Sequence, residues 1–312
     1  MSDIKKVAYV FPGQGAQTVG MGKDLYDSFD SVKALFKQAD DAVGFPLTKI
    51  FFEGPEEELR KTSNAQPALV AVSFACLRAA REVGGKNLPA PSFMAGHSLG
   101  EYTALAAANA IDFGTAVFLA KERGRLMYEA GLKTPGGMMA IIGLEEAVLA
   151  EICRETGTVI ANINSPGQLV ISGTTENIIK AGEMAKTKGG ARAIPLQVSG
   201  AFHSPLMQPA VDGMTQILSK VTFKDSSVPI IANVTAQPIT SSSQIKDELL
   251  KQLCSGVQWQ RSVEYMVRQQ VGRFIEIGPG KVLAGLIKRI SRESEIVNIG
   301  DVNAVKGLAV TQ

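Results

Sequence analysis

A chain of 312 residues can bury a full core and is long for one compact domain, so one large domain with an insertion, or two domains, is expected. Hydrophobic residues make up 45% of it and charged residues 20%, and 32 basic against 30 acidic side chains leave a formal charge of +2, which argues against a general nucleic-acid binder. Apolar runs such as "PALVAVSFACL" stop well short of the roughly 18 residues a membrane span needs, and "MSDIKKVAYVFPGQG" runs straight into a strand without a signal-peptide pattern, so a cytoplasmic protein is expected.

The first half alternates in α/β style. Strand "KVAYVF" is followed by a glycine turn, a helix near 24–43, an apolar helix near 66–83, a strand near 92–96 and a helix near 99–110. That order predicts a parallel sheet covered by helices. From about residue 136 the pattern changes to strand "GMMAIIGL", helix "EEAVLAEICRET", strand "VIANIN", turn "SPGQ", strand "LVISG", helix "TENIIKAGEMAKTKG" and strand "RAIPLQVS". This is the βαββαβ ferredoxin-like order, read as an inserted small subdomain at 133–201. Residues 1–132 and 202–312 then form the large α/β subdomain. In its second part come a helix at 205–220, strand "PIIANV", a helix at 244–254, strand "RFIEIG" and a helix at 280–292, and the last dozen residues read as a loose tail. The active site is expected between the two lobes. Cys76, Cys153 and Cys254 have neither metal spacing nor a disulfide framework and read as reduced thiols.

Gly96-His97-Ser98-Leu99-Gly100 fits the G-x-S-x-G nucleophile elbow, with a short strand before it and a helix after it whose N-terminal amides favour developing negative charge. Adjacent residues in such a turn point in different directions, so His97 is poorly placed to take the Ser98 proton and is expected to pack behind the elbow. The only other histidine is His203, in "VSGAFHSPLM", at the end of the insertion's last strand and before a helix opened by Ser204 and Pro205. It is the candidate base. "FPGQGAQTVG" has Thr18 where a dinucleotide loop needs glycine, and no phosphate-binding P-loop occurs in the chain. Gln14 can instead offer a backbone N–H beside that of Leu99, the two donors an acyl-transfer intermediate needs. On the helix "GTAVFLAKERGRLMYEA", Arg123 falls in the apolar stripe of Ala116, Leu119, Ala120, Leu126, Met127 and Ala130, with Glu122 outside it. An inward guanidinium needs a carboxylate partner, either an internal Asp or Glu or a substrate carboxylate.

Taken in order, "FPGQGAQ", "GHSLGEY", the arginine 25 residues after the serine, "NSPGQLVISG", "AFHS" and "GPGKVL" closely resemble malonyl-CoA:acyl-carrier-protein transacylases of type II fatty-acid synthesis over nearly the whole chain. The resemblance implies a hydrolase-like core and a malonyl ester on Ser98. It makes His203 the base, Arg123 the ligand of the malonyl carboxylate, and Gln14 and Leu99 the oxyanion donors. It also implies a main-chain carbonyl, at Gln258, that orients the histidine in place of a triad acid. Phe202 would crowd the space of an α-methyl group, although Gly200 departs from related acyltransferase domains, where histidine is frequent. No metal or redox cofactor is implied. The partners implied are malonyl-CoA and an acidic acyl carrier protein, docked by Lys186, Lys188 and Arg192 or by Lys288, Arg289 and Arg292. A monomer is expected, with no nucleic-acid or membrane partner. A serine thioesterase or hydrolase would use the same serine and histidine but release acid to water, and a non-catalytic carrier-binding module would need neither.

Overall fold

The structure is a computed structural model that describes residues 6–189 and 191–309. Its large sheet starts from β1 (Lys6–Phe11), in which every residue after Lys6 is buried. Apolar side chains on both faces are what a strand sandwiched between helices requires. β1 pairs in parallel with β2 (Phe93–Gly96) on one side and, near the far end of the chain, with β9 (Val271–Ile277) on the other. β7 (Ile230–Ile231) extends the sheet beyond β2, β8 (Pro238–Ile239) turns back antiparallel on it, and β10 (Glu295–Ile299) runs parallel to β9. The order is β10-β9-β1-β2-β7-β8. Strand succession changes direction at β1, so the loops that follow β1, β2 and β9 open at one end of the sheet.

Four further strands, β3 (Gly136–Ile142), β4 (Val159–Ser165), β5 (Gln168–Thr174) and β6 (Arg192–Pro195), form a separate antiparallel sheet in the order β4-β5-β3-β6. Helices Glu146–Thr156 and Thr175–Gly189 fall between these strands in sequence, which gives the βαββαβ order with its own apolar cluster. Main chain ties this sheet to the large lobe. The Val257 N–H donates to the Ala161 carbonyl and the Ile163 N–H to the Val257 carbonyl, both at 2.9 Å, so residue 257 pairs alongside β4.

"PALVAVSFACL" lies in the helix Thr62–Gly84, buried nearly all round because other helices surround it. It packs against the helix Phe113–Lys133, where Gly124 meets the backbone of Thr62 and Ser63. Several elements differ from the sequence reading. The helix expected at 24–43 is two helices, Lys23–Ser28 and Asp30–Val43, separated by Phe29 in extended backbone. Helices Leu47–Glu53, Glu56–Arg60 and Trp259–Arg268 were not anticipated. Half of the supposed tail is a helix, Val302–Gly307, whose start is capped by Asp301 accepting the Ala304 N–H at 2.8 Å and whose Val305 is fully buried; residues 310–312 of that stretch lie outside the described residues. Among the described residues no helix is long and apolar enough to cross a membrane.

A Cβ at Gly124 would stand 2.4 Å from the Thr62 carbonyl oxygen, closer than any real contact. Gly124→Ala is therefore expected to push the two central helices apart and lower stability by about 1–3 kcal/mol in chemical denaturation, the cost of overpacking a filled core.

Candidate active site

β1 and β2 are neighbours, so Gln14, three residues past the end of β1, and Ser98, two past the end of β2, come together at the same sheet end. Ser98 has φ +50°, a left-handed conformation that costs a non-glycine residue energy and persists only where the surroundings hold it. Asn233 supplies much of that hold. Its side-chain oxygen accepts the Ser98 N–H at 2.6 Å, and its amide nitrogen donates to the Gly96 carbonyl and the Glu101 carboxylate, each at 2.7 Å. The turn is so tight that a Cβ at Gly96 would lie 1.8 Å from the Gly100 carbonyl carbon, which explains a glycine on that side of the serine.

His203, also left-handed at φ +57°, brings Nε2 to 2.7 Å from Ser98 Oγ. Nδ1 lies 2.8 Å from the carbonyl oxygen of Gln252. A carbonyl only accepts, so Nδ1 carries the proton and Nε2 keeps its lone pair for the serine hydroxyl. Burial, and then the nearby Arg123 charge, push the imidazole pKa from 6.5 down to about 3. The orienting carbonyl is thus Gln252, not Gln258. The Gln258 carbonyl instead accepts from the Ser262 N–H at 2.9 Å and the Ser262 hydroxyl at 3.0 Å, in the first turn of the helix Trp259–Arg268. Gln252 stands in the last turn of the helix Ser242–Cys254, where carbonyls have no partner within the helix. His97 does not lie wholly behind the elbow. It lines the cleft, with Nε2 2.8 Å from Asn164 Oδ1 on β4 and its ring centroid 5.6 Å from that of Trp259.

Arg123 is 1% exposed. Its guanidinium donates to Gln66 Oε1 at 2.7 Å, to Gln252 Oε1 at 2.8 Å and to Ser98 Oγ at 3.1 Å, and stands 5.8 Å from the centre of the Tyr102 ring. Nε has no hydrogen-bond partner, and among the described residues no carboxylate lies within ion-pair distance. Of the two partners open from sequence, the internal carboxylate is absent among these residues. Neutral amides hold a buried full charge. Its neighbour Glu122 is also largely buried, contrary to the helical stripe, because it pairs with Lys121 and Arg125.

These groups line a cleft of about 470 Å³ that also takes in Gln14, Leu99 and Phe202. The backbone N–H groups of Gln14 and Leu99 have no acceptor among the described residues, while the Gln14 side chain is pinned by the Thr62 hydroxyl at 2.9 Å. Phe202 is buried against the cleft wall, and a side chain at Gly200 would press on its ring and on the Gly131 backbone at 3.3 Å, so glycine there goes with this seating of the phenylalanine. None of the six proposed docking cations lines the cleft. Lys186 and Lys188 pair with Glu183 and Glu155, whereas Arg289 donates to Gln168, which does line it. Among the described residues no cluster of His, Cys, Asp or Glu is arranged to hold a metal.

Asn233, Gln252, Gln66, Glu101 and Asn164 were missed from sequence. Glu101 carried a signal in its place directly after the elbow, and Asn164 in opening the motif "NSPGQLVISG".

The acyl transferase domain family matches residues 8–306. The chain is similar to the malonyl CoA-acyl carrier protein transacylase of Bacillus subtilis (strain 168), 44% identical across 97% of this chain and 96% of that one. It is likewise similar to the enzyme of that name from Escherichia coli (strain K12), 48% identical across 92% and 93%. A solved structure of a type II PKS acyl-carrier protein in complex with its malonyl-transacylase superposes with a TM-score of 0.92, at 41% identity, covering 98% of this chain and 100% of the matched one.

With its pKa lowered, His203 refuses a proton that the unfolded chain binds near pH 6.5. The folded state therefore loses stability as pH falls from 6.5 toward about 3, and none of it is lost above 6.5. In an NMR titration the His203 ring signals are expected to stay put through pH 6.5, and a midpoint there would contradict the buried neutral ring.

Proposed function

The chain belongs to the acyl transferase domain family, and from that premise we propose that it transfers the malonyl group of malonyl-CoA to the phosphopantetheine thiol of acyl carrier protein, through a malonyl ester on Ser98. One observation supports the choice of acyl group above the others: a buried guanidinium with only neutral partners stands 3.1 Å from the serine oxygen. A carboxylate two bonds from the reacting carbonyl completes that ion pair.

In the first half-reaction Ser98 Oγ passes its proton to His203 Nε2 and attacks the thioester carbonyl carbon. The Gln14 and Leu99 N–H groups receive the oxyanion. Collapse breaks the C–S bond, and the thiolate of CoA leaves with the proton held by His203. In the second half-reaction the carrier thiol gives its proton to His203 and attacks the ester carbonyl, and Ser98 Oγ departs and recovers the proton. The Gln252 carbonyl holds the ring in the required tautomer throughout. Substrate charge has a second effect. Because the Arg123 cation is one cause of the low His203 pKa, a malonyl carboxylate that neutralises it makes His203 a stronger base. Malonyl-CoA thereby relieves the second of the causes that lower the His203 pKa, burial being the larger, and acetyl-CoA does not.

No metal or redox group takes part in this scheme. A single chain supplies every group in it, in keeping with a monomer, and free thiols at Cys76, Cys153 and Cys254 are in keeping with the cytoplasm. For carrier docking we favour Lys288, Arg289 and Arg292, since the first two lie on the helix Val282–Ile290, which also contributes Leu283 and Leu286 to the cleft wall, and Arg292 follows two residues after its end.

Intact-mass measurement after mixing with malonyl-CoA, with and without carrier protein, separates binding, acylation, hydrolysis and transfer. The parent is expected to gain one malonyl group and pass it to the carrier. Ser98→Ala is expected to gain none while melting near the parent's temperature, and an adduct of undiminished stoichiometry would move the nucleophile elsewhere. Arg123→Ala is expected to lose roughly 2–5 kcal/mol of malonyl transition-state binding while sparing acetyl transfer, raising the acetyl-to-malonyl ratio of kcat/KM by about a hundredfold or more. Equal losses for both substrates would leave Arg123 a structural residue.

A further inference from the structure

The amide of Gln252 has acceptors on one side and a donor on the other. Its Nε2 donates to the Ser98 carbonyl at 3.0 Å and to Glu101 Oε2, while its Oε1 accepts from Arg123 at 2.8 Å. Glu101, 2% exposed, uses its other oxygen, Oε1, to accept the Asn233 backbone N–H at 2.6 Å and the Asn233 side-chain amide at 2.7 Å. All three groups facing Glu101 are donors, so a carboxylate satisfies them and a proton on Oε2 would find no acceptor there. Burial and the neighbouring Glu248 raise the Glu101 pKa, against which these donors act.

We propose that Glu101, which touches no substrate, is a positioning residue for acyl selectivity: its carboxylate fixes which end of the Gln252 amide faces Arg123. The proposal rests on the reading above, that Arg123 binds the acyl carboxylate. A glutamine at 101 is the same shape but half donor. The Asn233 backbone N–H cannot turn, so the new amide must keep its oxygen there and point its NH₂ at Gln252. Two NH₂ groups then face each other, and Gln252 turns over to relieve the clash, giving up its bond to the Ser98 carbonyl. Its own NH₂ then faces the guanidinium, Arg123 loses an acceptor and meets a donor, and the cation leaves the place where it receives the acyl carboxylate. His203 is spared, because its partner is the main-chain carbonyl of Gln252, which does not move when the side chain turns.

The test is a cycle on the whole enzyme, comparing the parent, Glu101→Gln, Gln252→Ala and the double variant by kcat/KM for malonyl-CoA and acetyl-CoA, with thermal melts. Glu101→Gln is expected to raise the acetyl-to-malonyl ratio about tenfold, and that effect should vanish in the Gln252→Ala background, where no amide remains to turn. Equal loss of both substrates, or a ratio change that persists without the Gln252 side chain, would overturn the proposal. If Glu101→Gln does not fold, Glu101→Asp, which keeps the two acceptors but withdraws them by one carbon, takes its place in the cycle with the same readings. Arg123→Ala, assayed alongside, separates two failures. A ratio moved by Arg123→Ala but not by the position-101 variant removes only this proposal, and a ratio moved by neither removes the reading it rests on.

Discussion

A full positive charge buried among neutral groups governs this molecule. A bare guanidinium in a dry interior is costly, and here no carboxylate pairs with it directly. Its cost is spread over two glutamine oxygens, a serine hydroxyl and the face of a tyrosine ring. The two glutamines are in turn fixed by something else: Gln66 also meets the Thr62 hydroxyl, and Gln252 is held by Glu101 and by the Ser98 carbonyl. The same charge lies beside the histidine and adds to the effect of burial in keeping it neutral. Every hydrogen-bond partner of that charge among the described residues is neutral.

How much of this could be read from the chain depends on the range of the interaction. The elbow was legible because its chemistry is local: glycine, serine and glycine within five residues, after a strand. His203 followed because only two histidines exist and the other is next to the serine. Arg123 was legible as an inward charge from helical spacing, but its partners were not, since Gln66 and Gln252 lie 57 and 129 residues away in sequence. The orienting carbonyl was misplaced by six residues, onto Gln258, because any residue can supply a carbonyl and the side-chain pattern does not mark which one. Asn233 clamps the elbow from 135 residues away and sits in a stretch that reads simply as a strand.

The fold followed a similar rule. The two sheets were readable, because apolar runs for the buried parallel strands and alternation with helices for the inserted unit are strong local patterns. Trp259–Arg268 hid behind its charged residues, although Trp259, Val263 and Met266 are fully buried on one side of it. The C-terminal stretch looked like a tail because its burial depends on residues met across the chain; Asp24, near the other end, accepts the Val302 N–H at 2.7 Å.

The pairing of residue 257 with β4 sets how the two lobes are spaced at that seam. It is made by peptide groups alone, with Ala161, Ile163 and Val257 contributing no side-chain atom to the two bonds. Cleft width there is consequently set first by the main chain, and the buried side chains of Ala161, Ile163 and Val257 have only to fill the space it leaves. Sequence drift on the walls can reshape the acyl chamber without altering the gap across it, and a change of substrate need not begin with a change of architecture.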